Sequence, residues 1–107
     1  MRRFGQIIKL KPEYEKKYRK LHKNPWPEVN TVIKACNISN YSIYLKEGYL
    51  FAYFEYAGKC FEADMKKMAE SEITRRWWAE TDPCQEKVPS ALPGEWWSDM
   101  EAVYHLD

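Results

Sequence analysis

Residues 3 to 10 of the chain, Arg-Phe-Gly-Gln-Ile-Ile-Lys-Leu, alternate with a period of two, and Phe4, Ile8 and Leu10 fall on one side, which predicts a strand. The pattern then lengthens to a helical period. Pro12 suits a helix N-terminus, Glu13 and Glu15 complement the partial positive charge of the first turn, and Tyr14, Tyr18, Leu21 and His22 recur along one side. A helix is therefore expected from Pro12 to about Lys23. The corner Asn24-Pro25-Trp26-Pro27 ends it, because each proline fixes its own φ and pushes the preceding residue out of helical conformation. Pro27 opens a second helix that carries Val29, Val32, Ile33 and Cys36 at helical spacing and stops near Asn37.

From Asn40, Tyr-Ser-Ile-Tyr-Leu-Lys returns to strand character, Glu47-Gly48 reads as a tight turn, and Tyr49 to Tyr56 is the second strand of a hairpin. The two faces of that strand are Leu50, Ala52, Phe54, Tyr56 and Tyr49, Phe51, Tyr53, Glu55, so neither has the polar character of a solvent face. Helices in so short a chain can pack on only one side. The other side requires a cover, either a second copy of the chain or an enclosed, aromatic-lined ligand cavity.

Phe61, Met65, Met68 and Ala69 form the buried stripe of a third helix from Gly58 to about Ser71. A short fourth helix, Glu72 to about Glu80, carries Trp77 and Trp78. The segment through Cys84 to Gly94 reads as a long loop, and Met100 to Asp107 alternates as a final strand. Strand, broken helix, strand, strand, helical segment, strand is the ferredoxin-like βαββαβ order, an α+β fold in which helices cover one face of an antiparallel sheet.

Composition narrows the partners. The 107 residues suit a single domain, residues 1 to 107, and a formal charge of +1 offers no basic field for nucleic acid. No apolar run is long enough to span a membrane. The three cysteines, Cys36, Cys60 and Cys84, form no close pair, and the start of the chain has no signal-like apolar region, so a reduced, cytoplasmic protein is expected. An aromatic share of 16%, with five Trp and eight Tyr, fits cores, subunit contacts and sugar-binding surfaces alike.

Among side chains able to do chemistry, His22 stands out. It can exchange a proton near neutral pH, and on a helix it shares a face with Tyr18 at i and i+4. Trp77 and Trp78, being consecutive, cannot face the same way on a helix, so at most one stacks its ring face on a ligand while the other packs or offers its indole N–H. Trp96-Trp97 reads as a subunit anchor or a loop clamp, and His105 as a hydrogen-bonded structural residue. The histidines and cysteines are too scattered for a zinc site, no nucleophile signature is present, and the glycines are isolated, without a phosphate loop.

In combination, Tyr18-x-x-x-His22 with the following Asn-Pro, Trp26-Pro27-Glu28, Asn40-Tyr41-x-Ile43-Tyr44-Leu45, Trp77-Trp78 and the closing Val103-Tyr104-His105-Leu106 resemble the L-rhamnose mutarotase family nearly end to end. The resemblance implies a dimeric ferredoxin-like α/β barrel in which two sheets face each other. It also implies interconversion of the α- and β-anomers of L-rhamnose without cofactor or metal, with His22 as proton donor and Tyr18, Tyr41, Trp77 and Trp78 binding the sugar. The partners so implied are a sugar and a second copy, with neither nucleic acid nor membrane. Ser71 to Arg76 and the Cys84 to Gly94 loop depart from the family pattern, which leaves L-fucose or another 6-deoxy aldose as an alternative substrate. A non-catalytic sugar-binding module is the alternative from another class, and a small monooxygenase or haem-handling protein follows only from the barrel architecture.

Overall fold

A computed structural model describes residues 1–107. It has an antiparallel sheet with four α-helices on one face. The elements are β1 (Arg2–Leu10), α1 (Glu15–Lys23), α2 (Pro27–Ala35), β2 (Ile38–Lys46), β3 (Tyr49–Tyr56), α3 (Phe61–Glu70), α4 (Glu72–Thr81), β4 (Gln85–Glu86) and β5 (Ser98–Asp99). Single 3-10 turns, Pro12–Tyr14 and Asp82–Cys84, lead into α1 and out of α4. The sheet order β2-β3-β1-β4, with β5 also on β1, is the expected ferredoxin-like α+β arrangement.

β1 lies in the middle and pairs with β3 from Arg2↔Tyr56 to Lys9↔Tyr49. β2 and β3 join through Glu47 and Gly48, whose φ values of 54° and 78° are those of a two-residue type I′ turn, matching the twist of the hairpin. β2 starts two residues before the predicted Asn40. Ile38 and Ser39 pair with Tyr56 and Glu55, and the register then shifts between Ser39 and Ser42. Asn40 sits in that bulge at φ 49°, and its side-chain amide donates to Glu55 Oε1 at 2.7 Å. A residue that reads as a strand boundary is thus an interruption inside the strand.

The predicted final strand does not form. Residues 100 to 107 form no regular element and are exposed, with Val103 93%, Tyr104 79% and Leu106 76% accessible. The C-terminal half of the β1 edge is filled by two short strands instead. β4 pairs with Lys9 and Leu10, β5 pairs with Gln6 and Ile7, and the Met100 amide closes onto the Gly5 carbonyl at 2.7 Å. Beyond the Met100–Gly5 bond the tail makes no backbone pairing with Arg2–Phe4 of β1 and meets that end of the strand only through the Arg3–Asp107 ion pair, so alternation here is not matched by a ladder.

The core under the helices falls into two clusters. Ile8, Leu10, Tyr18, Leu50 and Cys84 pack beneath α1, with Ile43, Leu45 and Trp97 beside them. Cys36, Ile38, Phe54, Tyr56 and Met68 pack beneath α2 and α3, with Phe4, Val32, Ile33, Phe61 and Met65 beside them. Each fully buried Leu or Ile contributes about 1.5–3 kcal/mol. The paired rows of the core face run Ile8, Leu50, Leu45 and then Gln6, Ala52, Ile43, so the small Ala52 separates the bulky rows of the two clusters.

The opposite face carries Ile7, Tyr44, Tyr49, Phe51 and Tyr53. None of its aromatic rings is fully buried, and Tyr44 is 66% accessible. Met100 and the tail beyond it reach this side, over Gly5 and Arg3. No helix is long and apolar enough to cross a membrane.

Candidate active site

Two side chains separated by one helical turn begin the site. Tyr18 and His22 stack on α1 with ring centroids 4.1 Å apart at 28°. The Nδ1 of His22 lies 2.9 Å from the backbone carbonyl oxygen of Tyr18. A carbonyl can only accept, so Nδ1 carries the hydrogen of the neutral ring and Nε2 keeps a lone pair. Burial pushes the His22 pKa below its ordinary value, and the bond to the Tyr18 carbonyl opposes this without reversing it. His22 is therefore an uncharged proton acceptor at neutral pH.

The proline corner backs this pair. Pro25 and Pro27 end α1 and restart the chain as α2, which brings Trp26 edge-on to Trp77 at 5.1 Å and 72°. Trp77 in turn meets the His22 ring edge-on at 5.3 Å. Trp77 is buried, whereas Trp78, the next residue on α4, is 37% accessible. The tryptophan pair divides as consecutive helical residues must. Trp77 joins the histidine cluster, and Trp78 opens toward solvent.

From the sheet, Tyr41 enters within the β2 bulge, next to Asn40, and rests against Phe54, with centroids 5.4 Å apart. Part of its ring is accessible, but its hydroxyl end is desolvated, which pushes its pKa up to about 12. Tyr18 is buried, and desolvation raises its pKa strongly against a smaller lowering from Gln85. The two phenols are close enough for the charge of one to oppose ionisation of the other. Tyr18, His22, Tyr41 and Trp77 thus gather at the junction of α1, α4 and the sheet.

Sequence reasoning missed Gln85 and gave Trp96 only an anchoring role. Gln85, on β4, is buried. Its Nε2 donates to the Tyr18 hydroxyl at 3.2 Å, and its Oε1 accepts from the Trp96 indole at 3.0 Å. The sequence signal for Gln85 was the unusual length of the Cys84 to Gly94 loop; Trp96 lies just past that loop. Trp97 packs against the cluster around Leu10, so Trp96 and Trp97 together clamp the loop to the domain. His105 lies in the exposed tail, 2.8 Å from Asp107, and takes no part in this group.

No three His, Cys, Asp or Glu side chains are grouped closely enough to hold a metal ion. Cys36 and Cys84 are buried free thiols whose pKa values are raised by burial, and Cys60 is exposed and free. A surface cleft of about 410 Å³ lies among Lys9, Lys11, Glu13, Glu47 and Glu86, and none of the candidate site residues lines it. Its open, charged walls do not suit a neutral ligand.

A ferredoxin-like α+β sheet whose helix side holds a neutral imidazole among hydroxyls, an amide and indoles belongs to the class of proteins equipped to bind small polar molecules and to move protons. The L-rhamnose mutarotase family model matches residues 3–106, and the chain belongs to that family. Among curated relatives, the L-rhamnose mutarotase of Lactiplantibacillus plantarum is 34% identical over 109 residues, covering all of both chains. That of Listeria monocytogenes is 36% identical over 108 residues, covering 99% of each. The crystal structure of an L-rhamnose mutarotase from Formosa agariphila shares the fold with a TM-score of 0.77 at 24% identity, covering both chains in full.

Proposed function

We propose that the protein is an isomerase that interconverts the α- and β-pyranose anomers of L-rhamnose by acid/base ring opening and reclosure. The observation that carries this reading, together with family membership, is the tautomer of His22: an uncharged ring with its Nε2 lone pair free, in an aromatic and hydroxyl-rich surround.

The chemistry needs one proton carried between two oxygens on the same carbon. His22 Nε2 takes the proton of the anomeric hydroxyl, and the oxygen's electrons form the C1 carbonyl as the bond from C1 to the ring oxygen breaks. The imidazolium so formed protonates the ring oxygen, which gives the open-chain aldehyde and returns His22 to neutrality. Rotation about C1–C2 exposes the other carbonyl face, and the same steps in reverse close the ring. The donor role that the resemblance gives His22 is then that of its imidazolium, in the second half of each step. Proton transfer by such a group contributes roughly 10²–10⁴-fold.

Tyr18 and Tyr41 supply hydroxyls that burial keeps protonated, so they bind the sugar as hydrogen-bonding neutral groups. The indoles of Trp77 and Trp78 complete the binding site, with aromatic surface for sugar C–H groups and the methyl of a 6-deoxy sugar. A second copy covers the aromatic face of Tyr44, Tyr49, Phe51 and Tyr53, giving a homodimer of facing sheets; the accessibility of those rings supports this. Three unpaired thiols support a reducing, cytoplasmic location.

Saturation-transfer NMR of the anomeric protons tests the reading. Exchange of L-rhamnose anomers above the buffer rate is expected. No excess exchange with L-rhamnose would sink the assignment, and excess exchange with L-fucose alone would move it to that sugar.

A further inference from the structure

We infer that Trp96 and Gln85 fix the direction of the Tyr18 hydroxyl hydrogen and thereby make Tyr18 an obligatory donor to the sugar, a positioning role that rests on the isomerase reading above. The argument starts at the indole. Its N–H can donate but not accept, and it lies 3.0 Å from Gln85 Oε1. A flipped amide would set its NH2 against that N–H, donor against donor. Gln85 therefore has one orientation, with Nε2 toward Tyr18 at 3.2 Å.

That nitrogen has hydrogens to give and no lone pair to offer. The Tyr18 oxygen consequently accepts from Gln85, and its own hydrogen must point to another acceptor. Tyr18 has only 4% of its surface accessible, so bulk water is a poor partner, and its hydrogen is left for an acceptor that enters the site. Burial disfavours the phenolate and keeps the hydrogen in place.

The relay is built from the segments that patch the edge of β1. Gln85 is held opposite Leu10 by β4, and Trp96 is held two residues before Ser98, which β5 pairs with Ile7. Gln85 is only 4% accessible, so its amide is not free to exchange partners with water. A donor aimed in this way suits an oxygen that gains negative charge when the bond from C1 to the ring oxygen breaks.

A double-mutant cycle with Tyr18→Phe tests the inference. Gln85→Glu keeps the shape, but its carboxylate accepts from both Trp96 and Tyr18 and so turns the tyrosine hydrogen inward. It is expected to slow L-rhamnose anomer exchange at saturating sugar by about tenfold. Trp96→Phe, which frees the amide to flip, is expected to slow it by a few-fold. In the Tyr18→Phe background neither change should cost anything further, whereas a purely structural role would lower the rate equally in both backgrounds.

A wild-type rate in folded Gln85→Glu, or an equal loss with and without the Tyr18 hydroxyl, overturns the inference. If Gln85→Glu does not fold, Trp96→Phe alone completes the cycle. A wild type without exchange would instead refute the isomerase reading. The same cycle read by calorimetric binding of L-rhamnose then decides the hydrogen-bond relay, and an absence of any sugar binding overturns both.

Discussion

The Nδ1 of His22 is 2.9 Å from the carbonyl oxygen of Tyr18, the residue one helical turn earlier. The helix thus uses its own backbone to choose the tautomer of its histidine, and the nitrogen left over faces away from the carbonyl as a base. A metal-binding or carboxylate-paired histidine would need an external partner to set the same state.

Replacement of His22 by Ala should lower L-rhamnose anomer exchange by roughly 10²–10⁴-fold while leaving sugar binding measurable by calorimetry. A variant that exchanges anomers at the wild-type rate would remove His22 from the chemistry.

The pH profile follows from the same residue. Burial lowers its pKa from the ordinary value of about 6.5, so Nε2 stays a free base at a lower pH than an exposed imidazole would. Exchange should be flat through neutrality and fall only below about pH 6.5, as the imidazolium fills. Stability has the same sign. Protons bind the unfolded chain more readily than the folded one, so the thermal midpoint should drop as pH falls through about 6.5 and on through the lower folded-state pKa, then lose its dependence on His22. His22→Gln should lack this component. On the alkaline side the Tyr41 hydroxyl, at about 12, should not limit exchange.

The tryptophan pair should separate in mutagenesis. Trp77 is wedged between Trp26 and His22, and Trp77→Ala should cost about 3–5 kcal/mol of unfolding free energy by denaturant titration. Trp78 is partly open, so Trp78→Ala should cost less than about 1 kcal/mol of stability and weaken L-rhamnose binding instead.

Phe51 stands in the middle strand of the aromatic face, paired with Ile7 on one side and Tyr44 on the other. Phe51→Glu should leave the monomer folded, because the ring is not in the core, and should shift light scattering from dimer to monomer. An unchanged mass would remove that face from the subunit contact.

Much of this architecture was legible in the sequence because it obeys local rules. The period change between Leu10 and Pro12, the Pro25–Pro27 corner, the Glu47–Gly48 turn and the two unlike faces of β3 each have a short-range cause. The proximity of Tyr18 and His22 was legible for the same reason, since helical spacing fixes it. The failures are long-range. Met100 to Asp107 has strand periodicity but pairs with no strand past the Met100–Gly5 bond, and Gln85 reaches Tyr18 across 67 positions through a strand of two residues, too short to leave a pattern. Trp77 and Trp78 were correctly expected to diverge, but which one is buried depends on where Trp26 lands.

The bulge at Ser39 to Ser42 lies on β2, the strand at the open end of the sheet order. A straight, regular edge offers an incoming strand an unbroken row of amides and carbonyls, the template from which aggregates grow. Here Asn40 turns left-handed at φ 49° and interrupts that row, so the first half of β2 cannot be zipped onto a foreign strand. The irregularity that sets Tyr41 beside Phe54 therefore also protects the protein from polymerising along its own sheet.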